Sequence, residues 1–234
     1  LYEESQMDIL VLGSVQRGFH AEVTALFREA GFGGLVSPSN WHTASPPILL
    51  DLEHETYRQG DIIDRHAYFA PAMAEEKVKH RIGVGDTFLG LSALAHPPSS
   101  PTNVRQMADY PSALSEFAWV NYNAAGVEGP LMSAAYFSLT DFDLPVWFAL
   151  GPKLWNDSLA KWAVGRPSVL GQFPGAALLF RRGDVTAAPV VVREGHTLAS
   201  IYRREPAHIM PPRGFDSTRD DASTIRSTAA AGTG

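Results

Sequence analysis

The sequence predicts an α/β fold in which parallel strands alternate with helices. Four short apolar runs have the length and composition of buried strands, at residues 34–37, 61–69, 112–120 and 144–150. Each run is followed or preceded by a longer segment with helical spacing of its apolar residues. Because parallel strands need a crossover connection between them, four strand-then-helix units in series predict a parallel sheet.

The first predicted helix covers residues 2–30. Apolar residues such as Ile9, Leu12, Phe19 and Leu26 recur there at spacings of three and four, and Gly31 follows as a stop signal. Further helices are predicted at residues 51–59, 72–80, 126–143 and 162–184. The turn-rich stretch AHPPSSPTN marks a long excursion between the second and third strands, and long loops of this kind are often functional.

The composition bounds both the fold and the partners. The chain has 234 residues, of which 45% are hydrophobic and 19% charged, so it is long enough to bury one large core. Its formal net charge of -6 argues against nucleic acid or a membrane surface as a partner, since both need a basic face. Cysteine is absent, which excludes disulfides and thiolate metal sites. We therefore expect a small neutral ligand.

The ends of the chain differ from its middle. The sequence starts at Leu1 directly in a helical segment, and LYEESQ has no signal-peptide pattern, so we expect a fragment and leave its localisation open between cytoplasmic and secreted. From residue 189 to 203 apolar and polar residues alternate, which predicts the start of a β-rich domain at 187–212. Residues 213–234 are rich in Ser, Thr, Asp, Ala and Gly and predict a disordered or truncated tail.

Polar and aromatic residues stand at the ends of the predicted strands. In parallel α/β folds the carboxyl ends of the strands meet on one face, where chemistry takes place. These residues are Asn40, Trp41, His66, Tyr68, Glu116, Trp119 and Trp147. Aromatic faces, amides and imidazoles suit sugar binding, and a carboxylate such as Glu116 can attack or stabilise an oxocarbenium-like centre.

Four segments carry a resemblance to a known family. SPSNWHTAS, DIIDRHAYF, SEFAWVNYN with EGPLMSAAYFSLTDFD, and LFRRGDV resemble, in this order, segments of clan A glycoside hydrolases of the β-galactosidase and cellulase-like type. The resemblance covers about residues 19–186. It implies that residues 1–186 are the C-terminal half of a catalytic (β/α)8 TIM barrel, a partial barrel of about strands five to eight.

The resemblance also implies roles for single residues. Glu116 would be the nucleophile of a retaining glycoside hydrolase, and Tyr68, or less well His66, would hydrogen-bond it. The implied substrate-binding residues are Asn40, Trp41, Trp119, Asn121 and Trp147. The implied partner is a carbohydrate, with no cofactor and no metal, and the oligomeric state stays open.

One departure from the family bears on activity. The family's acid/base Glu follows an Asn, and no Asn-Glu pair occurs in this chain. We therefore expect the acid/base residue to lie upstream and the fragment alone to be inactive or nearly so.

Other interpretations stay open at this point. Glu116 can be a structural acid paired with an Arg, Trp41 and Trp147 can be core residues, and Asn40 can be a turn residue or helix cap. For the function, the alternatives are a carbohydrate-binding barrel without catalysis and a metal-dependent enzyme that uses Asp64 and His66.

Overall fold

The computed structural model describes residues 2–40, 46–69, 72–75, 82–150 and 160–205. The α-helices in these ranges are α1 (Tyr2–Glu29), α2 (Pro46–Tyr57), α3 (Gly129–Leu139), α4 (Pro167–Leu170), α5 (Phe173–Arg182) and α6 (Leu198–Tyr202). The strands are β1 (Ile63–Phe69), β2 (Ala72–Glu75), β3 (Thr87–Leu89), β4 (Ser112–Trp119) and β5 (Leu144–Trp147), and short 3₁₀ helices lie at Pro97–Ser99 and Ala124–Glu128.

The central sheet is parallel, as the sequence predicts. Its strand order is β1-β4-β5, with β4 parallel to both neighbours, and α3 lies in the connection between β4 and β5. The strands β2 and β3 form a separate antiparallel pair in the long excursion between β1 and β4. Because β4 is the central strand, its side chains have neighbours from both β1 and β5.

The expected partial (β/α)8 TIM barrel is wrong. Within the ranges given above, the parallel sheet has three strands and remains open at β1 and β5, and the segment 34–37, expected as a further strand, is not part of it. The N–H of Val36 donates to the Asp61 carboxylate at 2.7 Å, and its carbonyl accepts from the Asp61 N–H at 2.9 Å. Because Asp61 satisfies both backbone groups of Val36, that residue needs no neighbouring strand.

The largest hydrophobic core lies against one face of the sheet. The core is built from both strands and from α3. It contains Ala67 and Phe69 of β1, Leu114, Phe117 and Trp119 of β4, Met132 and Phe137 of α3, and Phe142. Phe180 of α5 is partly buried against these side chains. The rings of Phe117 and Phe137 meet edge to face with centroids 5.2 Å apart. Burying such a side chain stabilises the fold by roughly 1.5–3 kcal/mol, so this core fixes one side of β4 firmly.

Helix α1 confirms the predicted helix. Several of its apolar side chains are exposed, so the helix buries only part of its predicted apolar face. Ile9 packs with Leu52 of α2, and Gly13 lies so close that a Cβ there would come within 2.7 Å of Leu52 Cδ1. Leu12 and Phe19, which share the predicted apolar spacing, are exposed. The contact with α2 therefore selects the face that carries Ile9 and Gly13.

Two further segments differ from expectation. Residues 72–75 form strand β2 where the sequence predicted helix, because they pair with β3. The alternating stretch 189–203 ends in helix α6 rather than in a strand, with Ile201 packed against Ile9 and Leu52. A tertiary contact overrides the local pattern in both places.

Among the helices described, none combines the length and apolar character needed to cross a membrane.

Candidate functional site

A bulge in β4 sets the direction of Glu116. The register pairs Arg65 with Leu114 and then His66 with Glu116, so Ser115 is an extra residue with no partner on β1. An extra residue of this kind changes which face the following side chains occupy, and such bulges are common beside active sites. The bulge explains how one acid stands within a run of core residues.

The two faces of β4 are occupied differently on either side of this bulge. Leu114, Phe117 and Trp119 lie in the large core, although Leu114 and Phe117 are three residues apart. Ala118 and Val120 pack on the other face with Tyr68. Glu116 is therefore directed away from the large core and toward β1.

Two side chains of β1 hold the Glu116 carboxylate. Tyr68 donates its hydroxyl to Oε2 at 2.5 Å, and Nδ1 of His66 lies 3.3 Å from the same oxygen. The side chain of His66 is 4% exposed, whereas that of Glu116 is 30% exposed. The carboxylate is thus fixed through one oxygen while part of it remains open to solvent. The sequence predicted this grouping of Glu116, Tyr68 and His66.

The bulge itself is held by two polar residues. Asp64 accepts a hydrogen bond from the Ser115 N–H at 2.8 Å, and Asn40 donates its side-chain amide to Ser115 Oγ at 3.1 Å. Asn40 therefore supports the strand that carries Glu116. The predicted role of Asn40 was substrate binding, and the contact observed is with the protein.

Two aromatic residues near Tyr68 were missed by the sequence analysis. The ring of Tyr68 lies 6.4 Å from Phe148 and 6.1 Å from Trp162, measured between centroids, and both are partly buried. Phe148 directly follows β5, so its position at a strand end was an available signal. Trp162 stands in a segment predicted to be helical and gave no such signal.

Asn121 holds the loop that carries Trp162. Its side-chain amide donates to the carbonyls of Ala160 and Ala163 at 3.0 and 2.8 Å, and its N–H donates to the carbonyl of Lys161 at 2.6 Å. Asn121 is buried. Asn121 thus clamps residues 160–163, and its predicted contact with a substrate stays a prediction.

The two predicted tryptophans lie mainly in the core. Trp119 is buried on the face of β4 opposite to Glu116. Its ring stacks on that of Trp147, with the two ring centroids 5.8 Å apart. Trp147 also lies 4.6 Å from Phe117 and packs in part on the cluster around Tyr68. Trp41, the remaining predicted sugar-binding residue, lies outside the described residues.

The arrangement does not favour the metal hypothesis. Asp64 is engaged with the Ser115 amide and His66 with Glu116. No group of three or more ligand-type side chains suited to a metal ion occurs in the part of the chain that the structure describes.

A cavity of about 300 Å³ lies away from Glu116, between α2, residues 105–110 and residues 194–201. Six of its ionisable groups form ion pairs: Arg105 with Asp51, Arg58 with Glu55 at 3.1 Å, and His196 with Glu194 at 2.9 Å. Burial lowers the pKa of Arg105 below its usual value. His196 Nδ1 also lies 3.9 Å from the Asp51 carboxylate of α2. Because Asp51 faces both Arg105 and His196, these contacts hold residues 105–110 and 194–201 against α2, and we assign the cavity a structural role.

Comparison of the chain with protein-family models, curated proteins and solved structures finds no match. The functional assignment therefore depends on the geometry around Glu116 and on the residue patterns in the sequence.

Proposed function

We propose that this chain carries the nucleophile of a retaining glycoside hydrolase and that Glu116 is this nucleophile. The observation that supports the proposal is a partly exposed carboxylate with one oxygen fixed by Tyr68 and His66. A carboxylate that is held on one oxygen and open on its exposed side is fixed in orientation and still reachable, which a nucleophile requires.

The proposed reaction proceeds in two steps. In the first, Glu116 attacks the anomeric carbon as the bond to the leaving oxygen breaks, and a glycosyl-enzyme ester forms. In the second, water cleaves this ester and releases the sugar and the carboxylate. Since Tyr68 and His66 both contact Oε2, we assign the attack to Oε1.

The donors and the aromatic residues have separate functions in this reaction. Tyr68 and His66 keep the carboxylate in one orientation, which lowers the entropic cost of reaching the transition state. Phe148 and Trp162 beside Tyr68 provide apolar surface of the kind that lines small-molecule sites. A sugar ring placed over Glu116 could contact this surface.

The proton for the leaving oxygen must come from a second carboxylic acid. Asp64 shares a face of β1 with His66 and Tyr68, but it is 4% exposed and accepts the Ser115 N–H. It is therefore not available to a leaving group. An experiment on the nucleophile should use a substrate whose leaving group needs no protonation.

The test is covalent trapping with 2,4-dinitrophenyl 2-deoxy-2-fluoroglycosides of the gluco and galacto series, as both anomers. Dinitrophenolate leaves without a proton, and the fluorine slows hydrolysis of the ester. We expect one adduct per chain by intact mass spectrometry, located on Glu116 by peptide mapping. The control variant Glu116→Gln should give no adduct.

Two outcomes would contradict the proposal. An adduct on another residue, unchanged in Glu116→Gln, would exclude Glu116 as the nucleophile. Quenching of tryptophan fluorescence by methyl glycosides without any adduct would support the alternative, a carbohydrate-binding protein without catalysis.

A further inference from the structure

Strand β4 could pair with β1 in two registers, one with a bulge at Ser115 and one without it. With the extra residue looped out, Glu116 lies opposite His66 and reaches Tyr68. With Ser115 paired regularly, every following residue would shift by one position, and a shift by one turns each side chain to the other face of the sheet. Glu116 would then point into the large core and Phe117 would leave it.

A looped-out residue leaves its backbone N–H without a ladder partner. Asp64 supplies the missing acceptor, with Oδ1 2.8 Å from the Ser115 nitrogen. Because this contact satisfies the partly buried Ser115 amide, it stabilises the bulged register over the regular one. Asn40 adds a second contact, to Ser115 Oγ at 3.1 Å.

Asp64 is an unusual residue for this task. It is a buried carboxylate, and among the residues described no cation pairs with it. It also shares a face of β1 with His66 and Tyr68, since residues two apart on a strand point the same way. One face of β1 thus contacts both the backbone of the bulge and the carboxylate that the bulge directs.

We propose that Asp64 is a positioning residue that selects the bulged register of β4 and thereby holds Glu116 against Tyr68 and His66. The hydrogen-bond acceptor carries this role, and the negative charge does not. The kinetic consequence rests on the function proposed for Glu116, whereas the structural consequence does not depend on it.

The structural test compares Asp64→Ala with Asp64→Asn in the full chain. Asparagine keeps an acceptor oxygen in the same place and removes the charge. By NMR, we expect faster hydrogen exchange of the Ser115 amide and a displaced ¹³Cδ resonance of Glu116 in Asp64→Ala only. Equal changes in both variants, or no change in Asp64→Ala, would overturn the proposal.

The kinetic test follows trapping by the dinitrophenyl fluoroglycoside that labels the wild-type chain. A misplacement of about 1 Å costs about 100-fold in rate, so we expect a loss of this order in the saturating trapping rate of Asp64→Ala. Its half-saturating concentration should stay unchanged, and Asp64→Asn should resemble the wild type. If the wild type is not labelled, the proposed function fails and the NMR comparison still decides the role of Asp64.

Deletion of Ser115 provides a second background in case Asp64→Ala does not fold. The deletion removes the extra residue, so Leu114 and Glu116 become consecutive and keep their present partners on β1. In this background, Asp64→Ala should leave the Glu116 resonance unchanged. A displacement as large as in the intact chain would show that Asp64 acts on Glu116 without the bulge, against the proposal.

Discussion

Strand β1 carries two charged clusters on opposite faces, through the adjacent residues Arg65 and His66. Arg65 pairs with Glu53 at 3.2 Å, donates to the Tyr57 hydroxyl at 3.2 Å and lies 4.8 Å from the centre of the Tyr57 ring. His66 contacts Glu116. The side chains of Arg65 and Glu53 are 2% and 4% exposed, whereas that of Glu116 is 30% exposed.

The difference in enclosure distinguishes a structural ion pair from the carboxylate that we propose to be reactive. The Arg65 cluster joins α2 to β1 and is closed to solvent, so a change at either Arg65 or Glu53 disturbs a buried ion pair. The carboxylate of Glu116 is held on one oxygen and open on its exposed side. Similar residue types thus lie in environments that suit different roles.

The largest expected effect comes from the enclosed carboxylate. Glu53→Gln keeps the shape of the side chain but removes the charge that balances Arg65. Breaking a buried ion pair from one side costs roughly 3–5 kcal/mol, so we expect a loss of this size in the free energy of unfolding, measured with urea.

A loss below about 1 kcal/mol, the range of exposed ion pairs, would mean that water reaches Arg65 in the folded chain. The double variant Glu53→Gln with Arg65→Met serves as the control, because it removes both charges. It should recover part of the stability that Glu53→Gln loses.

A smaller effect is expected at Tyr57 and depends on pH. Burial, as the largest cause, raises the pKa of the Tyr57 hydroxyl above its ordinary value of 10.0. Its contribution to stability is therefore complete below pH 10 and is lost as the pH rises through the higher pKa of the folded state. Above pH 10, the wild type should lose stability more steeply than Tyr57→Phe in urea unfolding.

At neutral pH, Tyr57→Phe should cost about 0.5–1.5 kcal/mol, as expected for one hydrogen bond. Parallel pH profiles for the two proteins above pH 10 would show that the Tyr57 hydroxyl is not enclosed.

The smallest effect on stability is expected at the open carboxylate. Glu116→Gln is the same substitution as Glu53→Gln, but glutamine can still accept from Tyr68 and water can reach the site. We expect a change within about 0.5 kcal/mol in urea unfolding, the range of ordinary surface substitutions. A loss as large as that of Glu53→Gln would place Glu116 among the structural acids and weaken its assignment as a nucleophile.

The sequence predicted the grouping of Glu116, Tyr68 and His66 better than it predicted what surrounds them. Glu116, Tyr68 and His66 were grouped correctly because they stand on strands that parallel pairing brings together. Trp119 was placed with them, although a residue three positions after Glu116 on a strand lies on the other face. Asp64 was considered only as a metal ligand, since a bulge leaves no pattern in the sequence.

The sequence by itself determined the long helix α1, the parallel pairing of β1, β4 and β5, and the residue types around Glu116. These follow from local periodicity and from the alternation of strands and helices. Only the tertiary structure decided that the segment 34–37 binds Asp61 instead of joining the sheet, and that Ser115 is looped out. Both depend on hydrogen bonds between residues far apart in the chain, which no local pattern encodes.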